Sequence, residues 1–313
     1  MKNVAGTAEP RWADFPQLVS CAELERYFEN RKNYASTGRS FYHYTSLRAL
    51  ESILKKGELR LSPFIRMNDR HEQISAGNEK ERIFSFCLSS GVNENLMLWY
   101  LYADRGREGV RVRFTGKMLQ ELMRCACEVS WYDFASGTDV SERRPLTDSE
   151  MVREIREVLY YREPGYARDS QCDLKYSTMT NYGKISRSDF ALYQGRYPCF
   201  CKKIVWFQEK ETRFLAAITP TALNGLKLSV PMTEDIHPAL WVKLSERIRT
   251  GLRIQLAPQC PDWHTLQKNG RYNGIWDRLG GVARIKDSDY KGDICIDLCS
   301  GCENIEHEEE INK

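Results

Sequence analysis

The chain of 313 residues has no apolar run long enough to cross a bilayer, a task that takes about 20 consecutive apolar residues. Its opening, Met1 to Pro10, has no apolar core of the kind a secretory signal needs. These two absences predict a cytoplasmic protein with no membrane partner. The sequence also lacks G-x-G-x-x-G, a P-loop, G-x-S-x-G and H-E-x-x-H. Nucleotide binding through a glycine loop, an elbow-type serine nucleophile and a helical zinc protease site are thereby excluded. Five histidines are too few for a multi-histidine metal centre to be expected. Repeats and low-complexity segments are absent too.

Cysteine is not scarce, but its pattern is uninformative. Eleven scattered cysteines, an odd number in a mid-sized chain, read as reduced thiols rather than a disulfide scaffold. Cys295, Cys299 and Cys302, with His307 beyond, have a spacing that zinc could use. No second C-x-x-C accompanies them and an acidic tail follows, so free thiols are the favoured reading and no metal site is expected. That tail, residues 301–313, holds five glutamates and one lysine. Removing its net −4 from the overall +3 leaves +7 on the rest. This mild basicity is compatible with a nucleotide or nucleic-acid partner.

Local patterns outline the elements. Ser20 to Glu23 form a capping box, with Leu24, Tyr27 and Phe28 at helical spacing after it. Residues 41–45 read as a strand. Ser46 then caps a helix whose apolar face is Leu47, Leu50, Ile53 and Leu54, and Gly57 stops it. Strands are predicted over 58–62, 83–89, 109–114 and 129–134, and helices over 95–102 and 116–125. A capping box at Thr147 to Glu150 predicts a helix to about Tyr161. Strands are expected over 205–218 and 226–230, and a helix over 241–249. Irregular interleaving argues for an α+β fold. The expected organisation is a helical lead-in (1–40), a main domain (41–230), a loop-rich extension (231–300) and the tail (301–313).

Three constellations could carry chemistry. His43 lies in the strand 41–45, and Thr45 shares its face, with Tyr42 and Tyr44 opposite. A histidine in an apolar strand is more often a structural hydrogen-bonder than a catalyst. Glu209 and Glu211, two apart after the apolar Ile204 to Phe207, would share a face if the strand ran through them. In a closed site their repulsion would raise one pKa. The bland alternative is a solvent ladder balanced by Lys210 and Arg213. Trp99, Tyr100 and Tyr102 cluster on the helix 95–102 and read either as core or as a stacking wall for a planar cation.

In order along the chain come Tyr42-His-Tyr-Thr-Ser46, then Asn68-Asp69 with Glu72, and Phe84 to Ser89. Leu98-Trp99, Tyr102-Ala-Asp104 and Trp206-x-x-Glu-Lys-Glu211-x-Arg213 follow. With this series the chain resembles a bacterial domain-of-unknown-function family grouped with ADP-ribosyltransferase-like folds, over about residues 41–230. The H-Y-T opening is also similar to DNA-targeting ADP-ribosyltransferase toxins. The resemblance implies two short crossed β-sheets around a cleft for NAD, with peripheral helices. It makes Glu211 the catalytic carboxylate, with Glu209 orienting the acceptor and His43 holding the ribose or carboxamide side. Tyr100 or Tyr102 would stack on nicotinamide. Tyr44, Thr45, Asn68 and Ser85 complete the implied NAD-binding set. Cleaving the nicotinamide–ribose bond builds oxocarbenium-like charge, which a carboxylate stabilises. Nicotinamide leaves neutral, so neither a general acid nor a metal is required.

The implied function is transfer of ADP-ribose from NAD to a macromolecule, nucleic acid or protein, as a toxin or anti-phage effector. A cognate antitoxin or sensor protein would restrain it. Two positions depart from the family pattern: Arg70, where proline is common, and Leu101, where histidine is common. Leu101 gives weight to a catalytically silent module that binds NAD, ADP-ribose or RNA. An NAD glycohydrolase and an RNA 2′-phosphotransferase-like protein are the rivals on the same fold. The last would need several basic residues converging on phosphate, for which Arg66, Arg70, Arg111 and Arg113 are candidates.

Overall fold

The β-turn-α unit that opens the main domain forms as its sequence dictates. The Ser46 hydroxyl accepts from the Ala49 amide at 3.1 Å and caps the helix Leu47–Lys56. Gly57 ends that helix at φ +70°, where its amide donates to the Ile53 carbonyl. Leu47, Leu50 and Leu54 are buried in the main core. This computed structural model describes residues 18–30, 38–91, 93–162, 171–176, 183–275 and 285–290. Within them the protein is an α+β fold with two sheets and several helices. No helix among the described residues is long and apolar enough to cross a membrane.

The larger sheet is built on Ser40–Ser46, which pairs along its whole length with Gly109–Thr115. Arg253–Leu256 adds to the far side of Gly109–Thr115. On its other side Ser40–Ser46 meets Ile83–Ser89 at a single bridge, Tyr42 opposite Ser89, and the two strands then part. Ile83–Ser89 is therefore a branch point. One branch leads through Glu211–Ile218 to Met151–Glu157. The other leads through a two-residue contact to Glu58–Pro63, then to Ile236–Lys243 and Cys127–Asp133. Two strands beyond residue 230, Ile236–Lys243 and Arg253–Leu256, are thus full members of this sheet.

After Met151–Glu157 the chain turns through Val158 into the smaller sheet. There Leu159–Arg162 lies between Gln171–Tyr176 and Cys201–Lys203. Gly183–Ser186 and Leu18–Val19 complete that sheet. The helices Cys21–Asn30 and Arg187–Arg196 pack on it around Leu24, Phe28, Phe190 and Tyr193. The Ser20–Glu23 capping box is formed as expected.

Several local expectations give way to pairing. The Thr147–Glu150 box is real, but it opens one 3₁₀ turn, Asp148–Glu150, not a helix to Tyr161. Met151–Glu157 follows as a strand because pairing along Glu211–Ile218 buries Met151 and Ile155 in the core. Residues 241–249 divide into the end of Ile236–Lys243 and the helix Glu246–Gly251, which Ser245 caps. Ile204–Glu209 is a 3₁₀ helix, so the strand begins only at Glu211. Residues 226–230 form no strand. The stretch 162–200, featureless in sequence, contributes two strands and a helix among its described residues.

Candidate functional site

A cavity of about 730 Å³ opens where the two central strands part. The helix Leu47–Lys56 forms one wall and turns Ala49, Ser52, Ile53 and Lys56 toward it. These positions follow i, i+3, i+4, i+7 spacing, so the wall is a single helix face about 10 Å long.

His43 stands in the fork. Its Nδ1 lies 3.0 Å from the Cys87 carbonyl and its ring lies 4.5 Å from that of Phe86. A carbonyl only accepts, so Nδ1 bears the proton and Nε2 is left as the acceptor nitrogen. The imidazole thus closes a gap left by the broken strand ladder. Burial depresses its pKa to about 4, against the bond to Cys87, so the ring is neutral at pH 7. Thr45 lines the cavity with it. On the opposite face, Tyr42 lies under the Arg111 guanidinium at 4.3 Å and the Tyr44 hydroxyl accepts from Arg111 at 3.4 Å. Both tyrosines nevertheless border the cavity, so the strand lines it with consecutive residues rather than with one face alone.

The floor is a closed ionic cluster. Glu209 and Glu211 do converge, though not as neighbours on a strand. Lys210, between them, sits at φ +45° and swings the end of the 3₁₀ turn back toward the strand start. Lys202, from the smaller sheet, lies 2.5 Å from Glu209 Oε2 and 3.4 Å from Glu211 Oε2. Arg213 clamps Glu211 through two bonds, 2.7 Å to Oε1 and 2.8 Å to Oε2. The Nη2 that holds Glu211 Oε2 also donates to Glu72 Oε1 at 2.5 Å, and Nη1 donates to the Cys199 carbonyl at 2.6 Å. The Tyr102 hydroxyl donates to Glu209 Oε1 at 2.7 Å. The Tyr160 hydroxyl accepts from the Glu211 amide at 2.8 Å.

Electrostatics follow from this geometry. Burial disfavours charge on Glu211, but Arg213 and Lys202 outweigh it and hold the carboxyl well below its ordinary range. For Glu209, burial and then the neighbouring Glu211 raise the pKa against the pull of Lys202. Burial also raises Glu72, against Arg213 and Lys202. Glu72 is 2% exposed, and its Oε2 has no hydrogen-bond partner, with Lys202 3.9 Å away. Three carboxyls face two cations. The cluster reaches neutrality with one added positive charge, from a proton or from a ligand.

The expected residues divide clearly. His43, Tyr44, Thr45, Asn68, Ser85, Tyr102, Glu209 and Glu211 all line the cavity. Tyr100 does not, and Leu101 is 43% exposed on the same short helix, away from the cavity lining. Of the four candidate phosphate-binding arginines, only Arg66 lines the cavity. Arg111 is buried and bonded to Gln255 at 2.6 Å, and Arg113 is bonded to Ser40 at 2.7 Å. Lys202 has no sequence signal as a site residue, and Glu72 enters the sequence reading only as part of the Asn68-Asp69 motif, with no role assigned. Lys202 sits in a three-residue strand, and Glu72 in a six-residue helix capped by Asp69. Among the described residues no cluster of three or more His, Cys, Asp or Glu side chains could hold a metal ion. Cys295, Cys299, Cys302 and His307 lie outside the described residues. Comparison with family models, curated proteins and solved structures finds no match to this chain.

Proposed function

We propose that the protein transfers ADP-ribose from NAD to a macromolecular acceptor, on an ADP-ribosyltransferase-like fold. The observation that carries this reading is the charge balance of the floor. Three buried carboxyls set against two cations, in a cavity of about 730 Å³, complement a ligand bearing one positive charge. Nicotinamide in NAD carries that charge, and the oxocarbenium-like sugar carries it next. Neutral His43 offers Nε2 as an acceptor for a ribose hydroxyl. Tyr102 stands beside the carboxylates as the aromatic wall. In this reading Glu211 stabilises the developing charge and Glu209, held by Tyr102 and Lys202, orients the acceptor.

One observation favours a second reading. Arg213 and Lys202 already engage both Glu211 oxygens, as suits a carboxylate that shapes a site without acting in it. A catalytically silent NAD or ADP-ribose module would have this form. Transfer of labelled ADP-ribose from NAD into protein, DNA and RNA fractions of whole-cell extract, with Glu211→Gln alongside, separates the two. Label incorporated by wild type alone supports the transferase. NAD binding by calorimetry, with NAD recovered intact and no label transferred, removes it in favour of the module.

A further inference from the structure

The cavity's other end has the opposite character. Where Glu58–Pro63, Ile236–Lys243 and Cys127–Asp133 pair, one sheet face carries Trp241, Tyr132 and Phe134 in a row. Successive ring centroids are 5.7 and 4.9 Å apart. Cations lie over this row. Arg60 sits 4.2 Å from the Tyr132 centroid and 5.1 Å from that of Phe134. Arg66 sits 4.6 Å from Phe134, and Lys56 5.6 Å from Trp241. Arg143, 3.7 Å from Trp241, is already neutralised by Glu58 and Asp139. Arg66 meets Asp235 only at 3.5 Å, between two well-exposed side chains. Arg60 and Lys56 form no ion pair among the described residues, and both line the cavity with Arg66.

Tyr132 and Trp241 are buried, so the face presents the cations laid over them rather than the rings. A guanidinium held over an aromatic ring loses little freedom when it takes an anion, and its donor edge suits phosphate. Arg48, exposed on the helix wall, adds a further cation at the cavity. A polyanion that must also send one group into the cavity needs a flexible backbone. A single strand can do this directly, whereas a duplex must first unpair and unstack the nucleotide at a cost in free energy.

We infer that this cation-over-aromatic face docks single-stranded nucleic acid through its phosphates and feeds one nucleotide into the cavity. The acceptor role rests on the transferase reading; the docking does not. The test is fluorescence anisotropy with a labelled 12-residue oligo(dT) or oligo(U), at 50 and 200 mM salt. Three phosphate contacts predict that wild-type affinity falls about 20-fold across that range. The double variant Arg60→Ala, Arg66→Ala should bind at least about 10-fold more weakly at low salt, with a flatter salt slope. Arg60→Lys should retain most of the binding, which guards against misreading a folding defect. The inference is overturned if wild type does not bind, if the double variant binds equally, or if duplex or polyglutamate competes as well as the single strand. Binding by both wild type and Glu211→Gln without any transfer would sink the transferase and leave the docking face standing. Transfer into protein alone, with no oligonucleotide binding, would do the reverse.

Discussion

The two ends of one cavity handle charge in opposite ways. At the floor, Glu72, Lys202, Glu209, Glu211 and Arg213 are all buried, and nearly every polar atom is spent on a neighbour. At the mouth, Arg60 and Lys56 lie over aromatic rings with no carboxylate at ion-pair distance among the described residues, though Asp139 is near enough to attract Arg60. Buried charges must be neutralised internally or they are too costly to hold. Half-exposed charges bear no such demand, because water screens them. The floor is therefore fixed by folding, and its ligand must fit a charge balance already set. The mouth is left in surplus, and its ligand supplies the missing charge.

The contrast is broken most severely by removing Arg213. Arg213→Met leaves Glu211 and Glu72 buried without their bidentate partner. We expect a loss of about 3–5 kcal/mol, typical of stripping one member from a buried ion pair. Urea unfolding measures it; a loss below about 1 kcal/mol would mean that water reaches the cluster and that the floor is no more rigid than the mouth.

His43 gives the next largest effect, and its sign follows from its neutral state. The folded pKa is about 4, below the ordinary value of 6.5. Between those values the unfolded chain binds more protons, so stability falls as pH drops and is fully present above pH 6.5. From pH 7 to pH 5 the loss should be about 2 kcal/mol. The urea midpoint of wild type should fall over this interval, and that of His43→Gln should fall much less. Equal slopes would place the imidazole in water rather than in the fork.

How much of this was legible depended on the range of the interactions. Ser46, Gly57 and the apolar face between them act within one turn of chain, and the unit they predict is present in full. His43 was legible as a site residue because strand alternation fixes its face. The Thr147–Glu150 box is equally local and equally real, yet it misled. Residues 151–157 are claimed by Glu211–Ile218, more than 50 positions away, and no cap records that partner. Glu209 and Glu211 were legible as a pair for a reason that failed. No strand joins them, and the convergence is made by a left-handed Lys210 and a lysine from another sheet. Lys202 could not be read at all. Its role depends on Cys201–Lys203 pairing with Leu159–Arg162, a registration that composition does not reveal.

Tyr102 tests the floor more gently than Arg213 does. Tyr102→Phe removes one bond of 2.7 Å to a carboxylate that Lys202 still holds. A hydrogen bond to a charged group contributes about 1.5–3 kcal/mol; with the second partner in place, the lower end is expected. Thermal melting would show it, and an unchanged midpoint would mean that Glu209 relies on Lys202 alone.

The smallest effect on stability belongs to the mouth, and its smallness sharpens the contrast. Arg60→Ala removes a guanidinium with no carboxylate partner, so no buried charge is orphaned. What is lost is contact with Tyr132 and Phe134, about 0.5–1 kcal/mol for a cation–aromatic pair at a partly exposed site. Arg60 itself bears a cost in place, since burial lowers its pKa against the pull of Tyr132. Removing it relieves that cost and offsets part of the lost contact. Urea unfolding of Arg60→Ala should therefore lie within about 1 kcal/mol of wild type, several-fold less than for Arg213→Met. A loss as large as that of Arg213→Met would show that the mouth is held together by its cations in the same way as the floor. It would then have no surplus charge to offer a ligand.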